Sequence, residues 1–185
     1  GKRINLYFND YSDFKPSTLY SSVELDIDLM PSDVNLYDLA FFAPVFFGSN
    51  QDFSLSGKVE GKLNRLSGKD IDIHFGNSSV LSGDIDLDGL PKFTETFIFA
   101  QFKNIETNFT DLQELDLPGK KFEFPSVLNK MGQISYKGKY TGFINDFVAY
   151  GTFSSVLGII KTDLSIKPDK KKFFEFWWKP DDRKL

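Results

Sequence analysis

From residue 19 onward the chain alternates apolar and polar positions with a period of two, the mark of half-buried β-strands. The first predicted strands are "LYSSVELDIDL" (19–29), "FSLSGKVEGKL" (53–63), "KDIDIHFG" (69–76) and "SVLSGDIDLDG" (79–89), the last two separated by a "GNSS" turn. "ETFIFAQFKNI" (95–105) is apolar at both parities, which suits a strand covered on two faces. A second group holds "GQISYKGKYTGF" (132–143), "DFVAYGTFSS" (146–155) and "GIIKTDLSIK" (158–167), with Asn145-Asp146 where a tight hairpin turn belongs. "KFFEFWW" (172–178) reads as a last, unpaired strand.

Short helices interrupt this pattern. "NLYDLAFFAP" (35–44) carries apolar residues at helical spacing and stops at proline. "TDLQELDL" (110–117) opens with Thr110 and Gln113 at capping-box spacing, and "SVLNKMG" (126–132) runs from Ser126 as N-cap to Gly132 as stop. The expected architecture is mainly β: antiparallel strands with a few short helices. Two sheet portions, about 1–105 and 132–178, are joined by a helical connection over 110–131 in a single unit, 1–185. Because the chain opens on Gly1 and ends just after a strand-like run, it reads as a segment excised from a longer protein.

Glycines punctuate the strands. A glycine inside a strand costs roughly 0.5–1 kcal/mol relative to alanine, so each needs a reason. "GKVEGKLNRL" (57–66) and "GKYTGFINDF" (138–147) align without gaps, Gly57 on Gly138, Gly61 on Gly142, Leu63 on Ile144 and Leu66 on Phe147. These two stretches predict similar pieces of sheet, each led by a glycine-rich strand. Phe53, Tyr136, Tyr140, Phe147 and Phe153 share one parity with Gly57, Gly61, Gly138, Gly142 and Gly151. That placement fits an ordinary sandwich core. It also fits a curved sheet whose glycines permit bending and whose apolar face holds a ligand.

Composition narrows the function. Aromatics make up 16% of the 185 residues, far too many for a disordered chain. The net charge of −4 argues against nucleic acid, and Lys170-Lys171-Lys172 is too short to reverse that. With no cysteine there is neither disulfide nor thiolate metal site. No apolar run reaches the ~18–20 residues that span a bilayer.

"DIDLDGLPKFTE" (84–95) has the spacing of a calcium loop, with Asp84, Asp86, Asp88, Gly89 and Glu95 in place. A calcium loop of that kind needs flanking helices, whereas the strand pattern Leu81, Gly83, Ile85, Leu87 runs straight through. The aspartates are therefore read as the wet face of a strand. His74, the sole histidine, falls with Asp70 and Asp72 on a polar face, and no G-x-S-x-G, P-loop or dinucleotide fingerprint occurs. Asn77-Ser78-Ser79 and Asn108-Phe109-Thr110 match the glycosylation pattern, as chance allows in a chain this rich in Asn, Ser and Thr. Enzyme activity, a cofactor and a metal site are not expected.

From about Val34 to Lys167 the chain resembles TamB-like members of the AsmA superfamily in their Bacteroidetes form. The resemblance rests on four segments in order: "VNLYDLAFFAP", "FSLSGKVEGKLNRLSGKDIDIHFG", "LSGDIDLDGLP" and "MGQISYKGKYTGFINDFVAYGTFSSVLGIIKTDLSI". It implies a β-groove, a taco-shaped curved sheet with an apolar interior. It also implies a periplasmic protein whose full length is anchored in the inner membrane. The implied role is phospholipid transport to, and assembly of, the outer membrane. The implied barrel partner of the TamA type would be contacted through regions absent from this chain. No catalytic residue carries over.

The candidate groove lining comprises Phe53, Leu55, Val59, Leu63, Ile71, Ile73, Ile85, Leu87, Phe97, Phe99, Ile134, Tyr136, Tyr140, Phe147, Phe153, Ile160 and Leu164. The expected partner there is phospholipid or another acyl chain. The rival reading is a closed β-sandwich binding module for carbohydrate or protein. An excised sheet also leaves open edges, so self-association is expected through residues 172–178 or the first strand.

Overall fold

The computed structural model describes residues 3–40, 48–115 and 124–167. They form one curved, unclosed antiparallel sheet of nine strands. The strands are β1 (Arg3–Tyr7), β2 (Glu24–Asn35), β3 (Asp52–Lys62), β4 (Arg65–Phe75), β5 (Ser79–Asp88), β6 (Phe97–Thr107), β7 (Ile134–Phe143), β8 (Asp146–Ser155) and β9 (Gly158–Ile166). Their order in space is their order in sequence, so each strand pairs only with its neighbours along the chain. The expected two sheet portions are continuous, because β6 and β7 pair from Ile98–Gly142 to Thr107–Ile134.

Short helices sit at the two ends of the strands. They are α1 (Leu19–Ser22), α2 (Leu36–Leu39) and α3 (Phe109–Glu114), with 3-10 turns at Tyr11–Phe14, Phe93–Glu95 and Ser126–Met131. Residues 19–22, expected to open a strand, are helical; β2 starts only at Glu24. The helix expected over 35–44 is one turn, α2, capped by the Asn35 side chain accepting from the Tyr37 N–H; residues 41–44 lie outside the described residues. In α3 the cap is Asn108, whose Oδ1 accepts from the Asp111 N–H at 2.8 Å, and not the expected Thr110–Gln113 box. Ser126 caps nothing either: the turn begins after Pro125, while Gly132 closes it at φ +61°. The strand expected at 172–178 lies outside the described residues.

The internal repeat turns out to mark two hairpin ends of one design. In β3–β4 the pair Lys62–Arg65 closes a two-residue turn, Leu63-Asn64; in β7–β8 the pair Phe143–Asp146 closes Ile144-Asn145. The tight turn is thus displaced one residue from the expected Asn145-Asp146. One step inside each turn a glycine faces a large apolar residue, Gly61 opposite Leu66 and Gly142 opposite Phe147. Both glycines take φ values, +111° and +136°, that L side chains avoid. A Cβ on Gly61 would stand 2.5 Å from the Arg65 carbonyl oxygen.

A line of register breaks crosses β2 to β7, at Leu29/Ser32, Ser56/Lys58, Gly68/Ile71, Ser82/Gly83 and Phe102/Ile105, whereas β7–β8 and β8–β9 run unbroken. Each break adds local twist and bends its strand, so together they crease the middle of the sheet. At the crease Asp70 sits at φ +48°. Its N–H donates to Asp84 Oδ1 at 2.9 Å, and its carboxylate pairs with Lys103.

Few of the described residues are fully buried. Leu19, Val23, Leu25 and Leu63 form a small cluster where α1 folds over the β2–β3–β4 end, with Tyr20, Ile27 and Leu66 packed against it. The Asn64 N–H donates to the Tyr20 carbonyl at 2.8 Å and holds α1 on that turn.

At the opposite end a buried carboxylate does the corresponding work. Asp111 of α3 is 2% exposed. It accepts from the N–H groups of Asn77 and Ser78, at 3.2 and 3.0 Å, and from Ser79 Oγ at 2.7 Å. Thr107 Oγ1 lies 2.7 Å from that hydroxyl, and Asn108 Nδ2 donates to Ser78 Oγ. Gly76 lets the loop close on it, since a Cβ there would stand 2.6 Å from Asp111 Cγ. Both glycosylation-like triplets therefore meet in this knot, with Asn77 and Asn108 acting as structural ligands of one carboxylate and its helix.

Burial alone would raise the Asp111 carboxyl, but its hydrogen bonds from Ser79, Ser78 and Asn77 outweigh that and hold it below the ordinary range. Its folded-state pKa is thus lower than its unfolded one of about 3.9, so its stabilisation is full above that pH and is lost as pH falls through the lowered value. Asp111→Asn, which places an amide NH2 among donors, should cost about 1–3 kcal/mol in urea unfolding at neutral pH. The gap between wild type and variant should shrink in acid below the carboxylate range. An unchanged neutral-pH midpoint would show that the knot does not hold the α3 end.

Candidate functional site

Residues directly opposed across antiparallel strands share a face, so the registers assign every paired strand position to one side of the sheet. One side is apolar from edge to edge. Starting at β1 it reads Ile4 and Leu6, then Leu25 and Ile27 on β2, and Leu55 and Val59 on β3. It continues through Ile71 and Ile73, Leu81 and Ile85, Ala100 and Phe102, and Tyr136 and Tyr140. It ends on Phe147 and Phe153 of β8 and Ile160 and Leu164 of β9. All nine strands belong to one sheet, so among the described residues no second sheet packs against this face.

Of the seventeen sequence-predicted lining residues, fourteen fall on this face: Phe53, Leu55, Val59, Ile71, Ile73, Ile85, Leu87, Ile134, Tyr136, Tyr140, Phe147, Phe153, Ile160 and Leu164. Leu63 does not. It sits in the β3–β4 turn and is buried beneath α1, where it plugs the end of the sheet. Phe97 and Phe99 are on the opposite side, opposing Asp88 and Asp86, and are 40% and 41% exposed. The expectation that β6 is covered on both sides fails with them. Phe97 meets Phe143 edge to face, with ring centroids 5.4 Å apart, and Phe97 and Phe99 border a concavity that Glu60, Arg65, Asp86 and Leu87 also line.

The parity error on β6 had a physical cause. Both parities are apolar, and the interior one, Ile98, Ala100 and Phe102, contains the smaller residue. Ala100 is fully buried opposite Tyr140, so small size marked the packed side. Sequence reasoning also missed Ile4, Leu6, Ile27, Leu66, Leu81, Ile98, Phe102, Ile105 and Ile166 of the same face. The alternation of neighbouring strands carried that signal; the bulge between Phe102 and Ile105 interrupts it on β6.

Glycine and aromatic placement now has a local explanation. Gly138 and Gly151 oppose each other on the apolar face. The Tyr136 ring lies across them: a Cβ on Gly151 would stand 2.7 Å from Tyr136 Cε2. Its hydroxyl reaches over to the Tyr150 and Lys139 carbonyls at 3.1 and 3.3 Å. Tyr140 stacks on Phe147 at 4.6 Å, and its hydroxyl donates to the Phe143 carbonyl at 2.9 Å. Burial raises both phenols above their ordinary range. These glycines seat aromatic rings; they do not leave empty space for a ligand.

The other face carries ion pairs and hydroxyl contacts. Asp88 pairs with Arg65 at 2.9 Å, Asp86 with the Ser67 hydroxyl, and Asp84 with the Asp70 N–H. The three carboxylates of the calcium-like spacing therefore stand in a row along β5, each engaged by the adjoining strand β4. His74 pairs with Asp72 on the same exposed face, as its parity implied.

Gly151→Ala should force the Tyr136 ring off the sheet and cost about 1–3 kcal/mol by urea denaturation. Tyr136→Phe, which loses only the hydroxyl bonds, should cost about 1 kcal/mol. Equal stability of Gly151→Ala and wild type would contradict the seating of the ring. No family model, no curated protein and no solved structure matches the chain.

Proposed function

We propose that the apolar face is a track for acyl chains, and that this chain is a segment of a TamB-like protein of the AsmA superfamily, a translocation and assembly module of the cell envelope. In this reading the full-length protein is anchored in the inner membrane and crosses the periplasm. Its curved sheet shields phospholipid tails on their way to the outer membrane and serves outer-membrane assembly. The observation that carries the reading is an apolar surface continuous across nine sequentially paired strands in a single sheet. The same observation weighs against a closed sandwich module, which needs a facing sheet to bury that surface.

The magnitudes suit the task. Each CH2 group taken out of water is worth about 0.8 kcal/mol, so a bare acyl chain faces a barrier of order ten kcal/mol in crossing an aqueous gap. Nine strands about 4.8 Å apart span roughly 38 Å, against about 15 Å for the hydrocarbon of one leaflet. A trough of that width shields a chain through solvation alone. No bond is made or broken, so no catalytic group is invoked.

The test is native mass spectrometry of protein incubated with phospholipid vesicles and recovered without detergent. Lipid-bound species are expected, and Ile73→Glu, on the apolar face, should reduce them at least about tenfold. Phe99→Glu, on the other face, should leave them unchanged. Circular dichroism of each variant separates lost binding from lost fold. Absence of bound lipid in wild type, or equal losses in both folded variants, would overturn the proposal.

A further inference from the structure

We propose that the ion-paired face carries a second binding surface, an aromatic and acidic concavity over β3–β6 that takes an arginine side chain of a partner protein. The registers lay it out as two rows. Glu60 of β3, Ser67 of β4, Asp86 of β5 and Phe99 of β6 are successive cross-strand partners, and so are Lys62, Arg65, Asp88 and Phe97. In both rows the step from β5 to β6 passes from carboxylate to phenyl ring. Beyond β6 the apolar character continues, with Phe143 against Phe97, and with Val148 of β8 opposite Thr141 beside Phe99. Phe97, Phe99 and Phe143 stay exposed there. A contiguous group of exposed aromatic rings rimmed by polar side chains marks an interaction surface.

Charge complementarity selects the partner. Four carboxylates, Glu24, Glu60, Asp86 and Asp88, line the concavity together with one cation, Arg65. Arg65 is committed to Asp88 at 2.9 Å. Among the described residues Glu24 and Glu60 make no ion pair, although Lys62 is opposite Glu24 in the ladder, and the Asp86 carboxylate has only the Ser67 hydroxyl. The unmet negative charge therefore collects in the row of Glu60, Ser67, Asp86 and Phe99. Neighbouring strands are about 4.8 Å apart, so a cation above Ser67 has a carboxylate on either side and the Phe99 ring next in line.

A guanidinium suits this place better than an ammonium, because it is planar, weakly hydrated, forks onto carboxylates and stacks on aromatic faces. The site is open and spreads over four strands, roughly 14 Å, which fits a protein surface and not an enclosed small molecule. In an extended partner chain, side chains two positions apart emerge on one side about 7 Å from each other. An arginine above Ser67 thus brings an apolar side chain two residues along onto Phe97 and Phe143. The surface lies opposite the acyl-chain track and stands independently of it.

The probe is a short capped peptide with arginine and leucine two positions apart, titrated into isotope-labelled full chain by NMR. Saturable shifts centred on β4–β6 are expected. Phe99→Ala and Glu60→Gln should each weaken binding about threefold, and together about tenfold, with melting curves showing that each variant folds. Asp163→Asn, an equal charge change on β9, should leave the affinity unchanged. Lysine in place of arginine, or serine in place of leucine, should each weaken the peptide about threefold. Because the chain contains no cysteine, Phe97→Cys supplies a single thiol. It should react with a water-soluble maleimide as fast as a free thiol and be protected by the peptide. Absence of saturable shifts in wild type overturns the proposal, as does equal affinity for the lysine peptide or no effect of Phe99→Ala. So does an unreactive thiol in the folded Phe97→Cys variant, since another part of the chain would then cover the surface.

Discussion

The backbone ladder is the constraint on which this structure depends. A single sheet cannot bury both faces, and here the described core reduces to a small cluster under α1 plus scattered positions such as Ile71, Ala100 and Ile134. Among the described residues none of the largest fully buried side chains is aromatic: they are Val23, Thr96, Asp111 and Ser79. Order must therefore come from inter-strand hydrogen bonds, from cross-strand side-chain pairs and from the devices that secure strand ends. The largely half-buried apolar face follows from the same economy: among the described residues no second layer covers it.

Seen this way, the two ends of the sheet solve one problem with opposite chemistry. At the α1 end, Leu63 drops into an apolar cluster and locks the β3–β4 turn. At the α3 end, buried Asp111 gathers donors from the β4–β5 turn. The apolar plug draws on water exclusion. The carboxylate draws on satisfied hydrogen bonds, and a partner lost there leaves a buried polar group unmet. Between the ends, bulges crease β2 to β7, and the clasp of Asp70, Asp84 and Lys103 spans β4 to β6 at the crease.

Strand positions were legible because period-two alternation is a direct image of two unlike faces. That image gave β3, β5, β8 and β9 almost residue for residue. It failed where both parities are apolar, as on β6, and where a bulge resets the count. It also failed at the ends, since a cap is decided by which side chain reaches a free N–H. Thus Asn108 caps α3 in place of Thr110, and Tyr20 sits in a helical turn although its neighbours alternate. The repeat of Gly61 and Gly142 was visible, but its meaning was not. Only the register shows each glycine one step inside a two-residue turn, facing Leu66 or Phe147. The apolar face was legible in outline, while the Tyr136 ring over Gly138 and Gly151 required coordinates.

The strictly sequential strand order has a consequence for how the chain acquires its structure. Every ladder closes between segments adjacent in sequence, so loop-closure entropy stays small and contact order is low for an all-β protein. Each new hairpin can dock on the strand before it, without waiting for a distant partner. Assembly then proceeds as elongation, much as in repeat arrays where each unit contacts only the next. A sheet of this kind can grow as it leaves the ribosome or a secretion channel, and evolution can lengthen it by one hairpin at a time.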